Sequence, residues 1–346
     1  MTCKYNIIGM LLYNSNKNQI NDLMSSILSS NSNKDYSNTV VGILPKIEKK
    51  ESIMRKCLFY KNLSFNNKIF NSSSSSIISH PNIKGKFIIN YRIVNYALNS
   101  MGQSNNSRKV ISLNKISILD TCFNEIYCKY LRPSNYNAKY VGIEDIRLFN
   151  FNNELYFIGS YYNSNSKRIQ IVSNKFILGG NYNPLFIRPT FKTNLKTEKN
   201  WVFFNNNGNL HIIYKWSPLY ICKIDYDNKE LNLVKSVSNM PTIFNNFRGS
   251  SNGVEYDNKI WFIVHENINI TGNINMYVHN WVVFDKNMKL LGYSDSFNFE
   301  NKLVEYCIGL EVRINGNFVI TYSTLDSTSK LGVFSGEYVN SMINNI

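Results

Sequence analysis

Several residue classes are scarce in this chain, and each scarcity narrows what it can be. The six cysteines (Cys3, Cys57, Cys122, Cys128, Cys222 and Cys307) are scattered and form no CxxC pair, and none of the 4 histidines lies close to one of them. No zinc site or disulfide framework is expected, and the thiols read as free groups in a reducing compartment. Glycine (17) and proline (7) are too few for a collagen-like or low-complexity protein. No apolar run approaches the ~18 residues of a membrane span. The apolar stretch Ile7–Tyr13 is too short and interrupted for a secretory signal. A soluble, cytoplasmic protein without membrane contact is the expectation. Acidic residues are also short, 23 against 38 Lys and Arg, which leaves a formal charge of +15. No acidic cluster has metal-ligand spacing, so neither a metal nor a cofactor is expected.

The positive charge has three readings: a nucleic-acid surface, a pocket for an anionic sugar phosphate or nucleotide sugar, or solvated lysines. The lysines are spread along the chain. The densest stretch, KIEKKESIMRK at 46–56, carries interspersed Glu and reads as a solvated face or short helix. No nucleic-acid-binding motif accompanies the charge, so nucleic acid is not the expected partner.

What the chain does have is apolar and aromatic content, 43% and 14%. That is enough for a large core and too much for a disordered chain. Residues 1–80 show little pattern: a short helix is expected at Gln19–Leu28, and the Ser72–Ser76 run reads as a flexible loop by composition. This stretch is set apart as an irregular N-terminal extension, a strand donor, a lid or an oligomer contact. From about residue 81 to 346, strand-like runs recur between Asn, Gly and Asp turns, and helical periodicity is nearly absent.

Five runs share one shape, a polar turn, an apolar strand and a polar end: Lys86–Arg92, Glu154–Ser160, Asn209–Lys215, Lys259–His265 and Asn317–Ser323. They recur at roughly 50–70 residues, the length of a four-stranded blade with its loops. An all-β, five-bladed β-propeller over 81–346 is therefore expected. If the repeated strand lines the axis, Arg92, Ser160, Lys215, His265 and Ser323 converge on one pocket, and its cations imply an anionic ligand.

Three further stretches carry reactive groups: Val141–Arg147, with Glu144, Asp145 and Arg147; Glu198–Trp201, with Lys199 and Asn200; and Tyr322–Asp326. A carboxylate beside an arginine is often only a structural ion pair. Trp216, Tyr91 and Trp201 are candidates to stack on a sugar or base, or else are blade packing.

Taken together these stretches resemble the glycoside phosphorylases acting on β-mannosides and the related propeller mannosyltransferases. The family motif Glu-Asp-Pro-Arg is similar to Glu144-Asp145-Ile146-Arg147, and its Lys-Asn to Lys199-Asn200. Its Gly-rich turn and Trp-led strand are similar to Arg248–Gly253 and Trp261–His265, its late Glu and Gly to Glu305 and Gly309, and its terminal motif to Tyr322–Asp326. The order holds from about residue 84 to 334.

The resemblance implies inverting glycosyl transfer to or from a mannose-like sugar, between a sugar phosphate or nucleotide sugar and a glycan acceptor. Asp145 would be the general acid/base, with its pKa raised by burial. Glu144, Arg147, Asn200, Trp216, Glu305 and Asp326 would hold the sugar or its loops, and Arg92, Lys199, Lys215 and His265 the anion. Two departures stand out. Ile146 replaces the proline. Tyr214-Lys215-Trp216 stands where the phosphorylases place a His-Arg clamp, and lysine does not reproduce bidentate arginine geometry. An inverting hydrolase on the same fold would need a second carboxylate opposite Asp145, for which Glu266 and Glu305 are candidates. A non-catalytic propeller that binds glycans or protein is the third reading.

Overall fold

In the computed structural model the described residues are 52–59, 63–65, 68–104, 109–131, 133, 139–193, 195, 197–269 and 275–346. The helix expected at Gln19–Leu28 and most of the lysine-rich stretch lie outside them. Strand β1 (Ser52–Phe59) comes first among the described residues and sits in the last blade. Blade 1 holds β2 (Leu63–Phe65), β3 (Lys68–Ser79), β4 (Phe87–Val94), β5 (Val110–Leu119) and β6 (Glu125–Leu131), with β7 (Tyr140–Val141) beside β5. Blade 2 holds β8 (Glu144–Phe151), β9 (Glu154–Asn163), β10 (Arg168–Phe176) and β11 (Leu185–Phe186). Blade 3 holds β12 (Arg188–Pro189), β13 (Val202–Asn206), β14 (Asn209–Trp216), β15 (Leu219–Asp225) and β16 (Glu230–Val237).

Blade 4 holds β17 (Arg248–Gly249), β18 (Val254–Tyr256), β19 (Lys259–Asn269), β20 (Asn275–Asp285) and β21 (Leu290–Ser294). Blade 5 holds β22 (Glu305–Val312), β23 (Phe318–Thr324) and β24 (Thr328–Phe334), with β1 outside β24. A helix, α1 (Gly336–Ser341), leads to β25 (Ile343–Asn345), which covers β21. The two ends of the described chain thus cover the outer edges of different blades, which protects those edges from stray pairing. Arg55 of β1 reaches the Phe299 carbonyl at 3.3 Å, and Lys56 reaches across to blade 1, to the Phe123 carbonyl at 3.0 Å and Asn124 Oδ1 at 2.7 Å.

The five repeated runs are β4, β9, β14, β19 and β23, each the strand that follows the innermost one of its blade. The axis is lined instead by the strand before each: β3, β8, β13, the interrupted β17–β18 segment and β22, which touch one another across the centre. Cross-blade hydrogen bonds tie them, from the Leu148 N–H to Ser76 Oγ at 2.9 Å and from Asn252 Nδ2 to the Leu148 carbonyl at 2.8 Å. The Ser72–Ser76 run is therefore not a flexible loop. It is the middle of the axial strand β3, with every serine buried. Near an axis where backbones crowd, small hydroxyl residues fit and satisfy the neighbouring polar groups. Gly309 shows the crowding, since a Cβ there would lie 1.9 Å from Thr321 Oγ1 and 2.9 Å from the Ser75 carbonyl oxygen.

Each blade buries both faces against its neighbours, giving five interblade cores. Strands buried on both faces read as continuous apolar runs, which is why these five strands stand out in the sequence. The same stacking absorbs the aromatics. Trp216 is 2% exposed and packs edge-on against Phe262, Trp201 lies in the core between blades 2 and 3, and Tyr91 in that between blades 5 and 1. Trp216 is thus a core residue and not a sugar platform. None of the described cysteines is in a disulfide; Cys222 and Cys307 are buried and Cys57, Cys122 and Cys128 exposed. No helix among the described residues is long and apolar enough to cross a membrane.

Candidate active site

A β-bulge and two left-handed turns shape one end of the axis. In β8, Glu144 pairs with Ser160 and Arg147 with Ile158, so Asp145 and Ile146 together oppose Gly159. Asp145 takes a left-handed φ of 51° there. Glycine is required opposite: a Cβ at 159 would sit 2.6 Å from Ile143 Cγ2 and 2.9 Å from the Glu144 carbonyl oxygen. Asn200 (φ 65°) and Asp326 (φ 48°) are also left-handed. Such backbone is uncommon outside glycine and tends to gather at functional sites.

These turns bring three carboxylates and two guanidinium groups together. Arg92 Nη1 lies 3.0 Å from Asp145 Oδ1, its Nη2 3.5 Å from Glu144 Oε1, and its Nε donates to Ser112 Oγ at 3.0 Å. Ser74 Oγ donates to Asp145 Oδ1 at 2.9 Å, and Ser73 Oγ to Asp326 Oδ1 at 2.6 Å. Arg147 is 2% exposed and spans three blades. It donates to the carbonyls of Ser250 at 2.5 Å, Gly249 at 3.2 Å and Asp145 at 3.1 Å, and to the Tyr306 hydroxyl at 3.0 Å. Tyr306 in turn donates to Asn200 Oδ1 at 3.0 Å. The His265 ring meets Tyr306 edge-on at 5.1 Å, and its Nδ1 lies 2.8 Å from Ser250 Oγ.

The electrostatics separate the two aspartates. Burial pushes the Asp145 carboxyl up, but Arg92, Arg147, the Ser74 hydroxyl and Lys199 outweigh it and hold the group below the usual carboxylate range. The raised pKa expected for Asp145 is therefore reversed, because two buried guanidinium groups face it. Asp326 goes the other way: burial pushes it up and the charge on Asp145 adds to that, against Arg92 and the Ser73 and Tyr96 hydroxyls. Burial, with the charges of Arg248, Arg147 and Lys199 among its neighbours, pushes His265 well below its ordinary value. It is a neutral imidazole near pH 7, so any hold it has on an anion is by hydrogen bonding and not by charge.

The structure thus gathers Arg92, Glu144, Asp145, Arg147, Asn200, His265 and Asp326, with Lys199 exposed and close enough for its charge to act on Asp145 and His265. Arg92 and Arg147 are committed to carboxylates, carbonyls and hydroxyls, so Arg92 holds Asp145 in place of an incoming anion. Lys215 is exposed and lies over the Tyr220 ring at 6.0 Å, on the hairpin of β14 and β15. Tyr214 turns to Glu198 and Thr193, with its hydroxyl 3.2 Å and 2.9 Å from their side-chain oxygens.

Glu305 is wholly buried and serves the backbone, not a ligand. Its carboxylate accepts the N–H groups of Phe299, Glu300 and Lys302. Alternation along β22 sends its neighbour Tyr306 toward the axis instead. Burial pushes the Glu305 carboxyl up to about 7. A carboxyl raised on folding contributes stability below its unfolded pKa and loses it as pH rises through the folded value. Between pH 5 and 8.5, unfolding free energy of the wild type should therefore fall by roughly 3 kcal/mol relative to Glu305→Gln, as denaturant titrations at the two pH values would show.

Sequence reasoning missed Ser73, Ser74, Tyr96, Tyr277 and Tyr306. The hairpin signal after Ser79, His-Pro-Asn before Lys86, was the one hint that the serine run is a strand.

No protein-family model matches the chain, and no curated protein sequence matches it. Solved structures do. A β-1,2-mannobiose phosphorylase from Listeria innocua superimposes with a TM-score of 0.51 at 12% identity, over 79% of this chain and 93% of that one. A putative glycoside hydrolase from Parabacteroides distasonis gives 0.51 at 12% identity, over 84% and 96%. A GDP-Man-dependent mannosyltransferase from Leishmania mexicana gives 0.50 at 14% identity, over 83% and 91%. At such identities the likeness speaks for the fold: the chain has the five-bladed propeller architecture found in mannoside phosphorylases and a mannosyltransferase.

Proposed function

We propose that this protein is an enzyme of carbohydrate processing that transfers a mannose-like sugar, with inversion, from a sugar phosphate or nucleotide sugar to an acceptor hydroxyl, Asp145 acting as the base. The observation that carries this reading is the charge state of Asp145. Arg92 and Ser74 hold this carboxylate ionised near pH 7, so it can accept the proton of an attacking hydroxyl, although the same clamp weakens it as a base. Transfer from a phosphorylated donor needs that: the leaving phosphate departs as an anion without an acid, while the attacking hydroxyl must lose its proton. By reversibility the same residue protonates the glycosidic oxygen in the opposite direction.

Two placements favour a donor larger than inorganic phosphate. Tyr214 and Lys215 do not form a buried clamp, and the exposed cations Lys199 and Arg248 lie where their charge reaches the site. The commitment of Glu305 to backbone N–H groups speaks against the hydrolase arrangement that would use it as base.

The test is a thermal-shift panel with inorganic phosphate, mannose 1-phosphate, GDP-mannose and other nucleotide sugars, followed by turnover with mannose and mannobiose as acceptors. A ligand at 100 times its Kd adds ~2.7 kcal/mol and should raise the midpoint by a few degrees. Acceptor-dependent release of phosphate or nucleoside diphosphate is the expected result. A flat response to every sugar, with no turnover, would overturn the reading in favour of a non-catalytic propeller.

A further inference from the structure

Asp145 and Asp326 are both held from one point on β3. Ser72 pairs with Ile93 and Ser75 with Tyr91, so Ser73 and Ser74 together oppose the single residue Arg92. In a regular strand consecutive side chains point to opposite faces, and only one of these serines would reach the site. The extra residue of the bulge removes that alternation, a common use of bulges beside active sites. Ser73 Oγ then reaches Asp326 Oδ1 at 2.6 Å and Ser74 Oγ reaches Asp145 Oδ1 at 2.9 Å, with both serines buried.

We propose that Ser73 and Ser74 are positioning residues: the bulge turns both toward the site, where Ser74 fixes Oδ1 of Asp145 and Ser73 fixes Oδ1 of Asp326, so that each carboxyl group meets the substrate in one set orientation. The proposal rests on the reading of Asp145 as the base. Both contacts to Asp145, from Ser74 and from Arg92, fall on Oδ1, which leaves Oδ2 for a substrate hydroxyl. The surroundings then set the difference between two similarly held acids. Asp145 faces Arg92 from β4, Arg147 from β8 and Lys199 from the turn before β13, with Glu144 beside it and Tyr277 and Tyr306 nearby. Asp326 shares Arg92 but faces the charge of Asp145 and the hydroxyls of Tyr96 and Tyr277. A sugar hydroxyl between them can meet both carboxyl groups, so its orientation is set before transfer.

The test is a titration of the full chain with ¹³C-labelled aspartate carboxyls, the two signals assigned with Asp145→Asn and Asp326→Asn. Losing a hydrogen bond to an ionised carboxylate is worth about one pH unit, a tenfold change in proton affinity. Ser74→Ala should move the Asp145 midpoint up by about that much and leave Asp326 nearly in place, and Ser73→Ala should do the reverse. Cysteine, close in size and a weaker donor, should give a smaller shift in the same direction, and serves if an alanine variant fails to fold. Ser76→Ala, which removes the acceptor for the Leu148 N–H, should lower stability and move neither midpoint. If both midpoints move together, or neither moves, the serines only support the fold and the proposal is overturned. The titration needs no turnover. Absence of sugar transfer in the wild type would remove the proposed function and leave the serine result readable on its own.

Discussion

Asp145→Asn should lower turnover by ~10²–10⁴-fold, the usual worth of a general base, with little change in the binding of a sugar phosphate. Asparagine keeps the shape of the side chain and can still accept from Ser74 and Arg92, so the bulge and its left-handed turn should survive. What it cannot do is take a proton. Circular dichroism and the thermal midpoint would confirm folding, and initial rates with the active donor would read the loss. The pH profile adds a second check. Because Arg92 and Arg147 hold the Asp145 carboxyl down, the active ionised form persists below the usual carboxylate range, and kcat/KM should not fall on the acid side until that range is passed. Turnover of Asp145→Asn within about threefold of wild type would contradict the assignment.

Arg147→Ala should produce the largest loss of stability of any single change at the site, about 3–5 kcal/mol. The guanidinium ties blade 2 to the carbonyls of Ser250 and Gly249 in blade 4 and to the Tyr306 hydroxyl in blade 5. Removing it leaves buried carbonyl oxygens without a donor and opens a cavity on the axis. The midpoint should fall by roughly 4–7 °C. Arg147→Lys should not restore it, since one ammonium cannot meet four acceptors spread over three blades. Activity should fall with either change even where the protein stays folded, because Arg147 anchors the Asp145 carbonyl and, through Tyr306, Asn200. A midpoint within 2 °C of wild type by calorimetry would show that the blades hold together without this tie.

The two variants separate chemistry from architecture in a motif where sequence places both side by side. Glu144-Asp145-Ile146-Arg147 was readable as an acidic motif with its arginine, but the division of labour was not. Ile146 is wholly buried in the core between blades 1 and 2, Asp145 bulges toward the axis, and Arg147 reaches across it. A two-residue periodicity cannot predict this, because the bulge breaks it.

The all-β architecture and the blade repeat were legible in the amino-acid sequence alone. A strand buried on both faces must be apolar along its whole length, so β4, β9, β14, β19 and β23 announced themselves at blade spacing. Which strand faces the axis was settled only by the tertiary structure. The axial strands answer to crowding and hydrogen bonding, so β3 carries serines that look like a linker when read by composition. The site divides the same way. Acidic, amide and basic residues could be picked out by type, but their states depend on neighbours far away in the chain. Trp216 became core because another blade stacks on it, and Glu305 turned to backbone N–H groups. Burial among cations keeps His265 neutral, and Asp145 keeps its charge because Arg92, 53 positions away, meets it at 3.0 Å. Residue type is local, whereas burial and the field that sets protonation arise only when the five blades close.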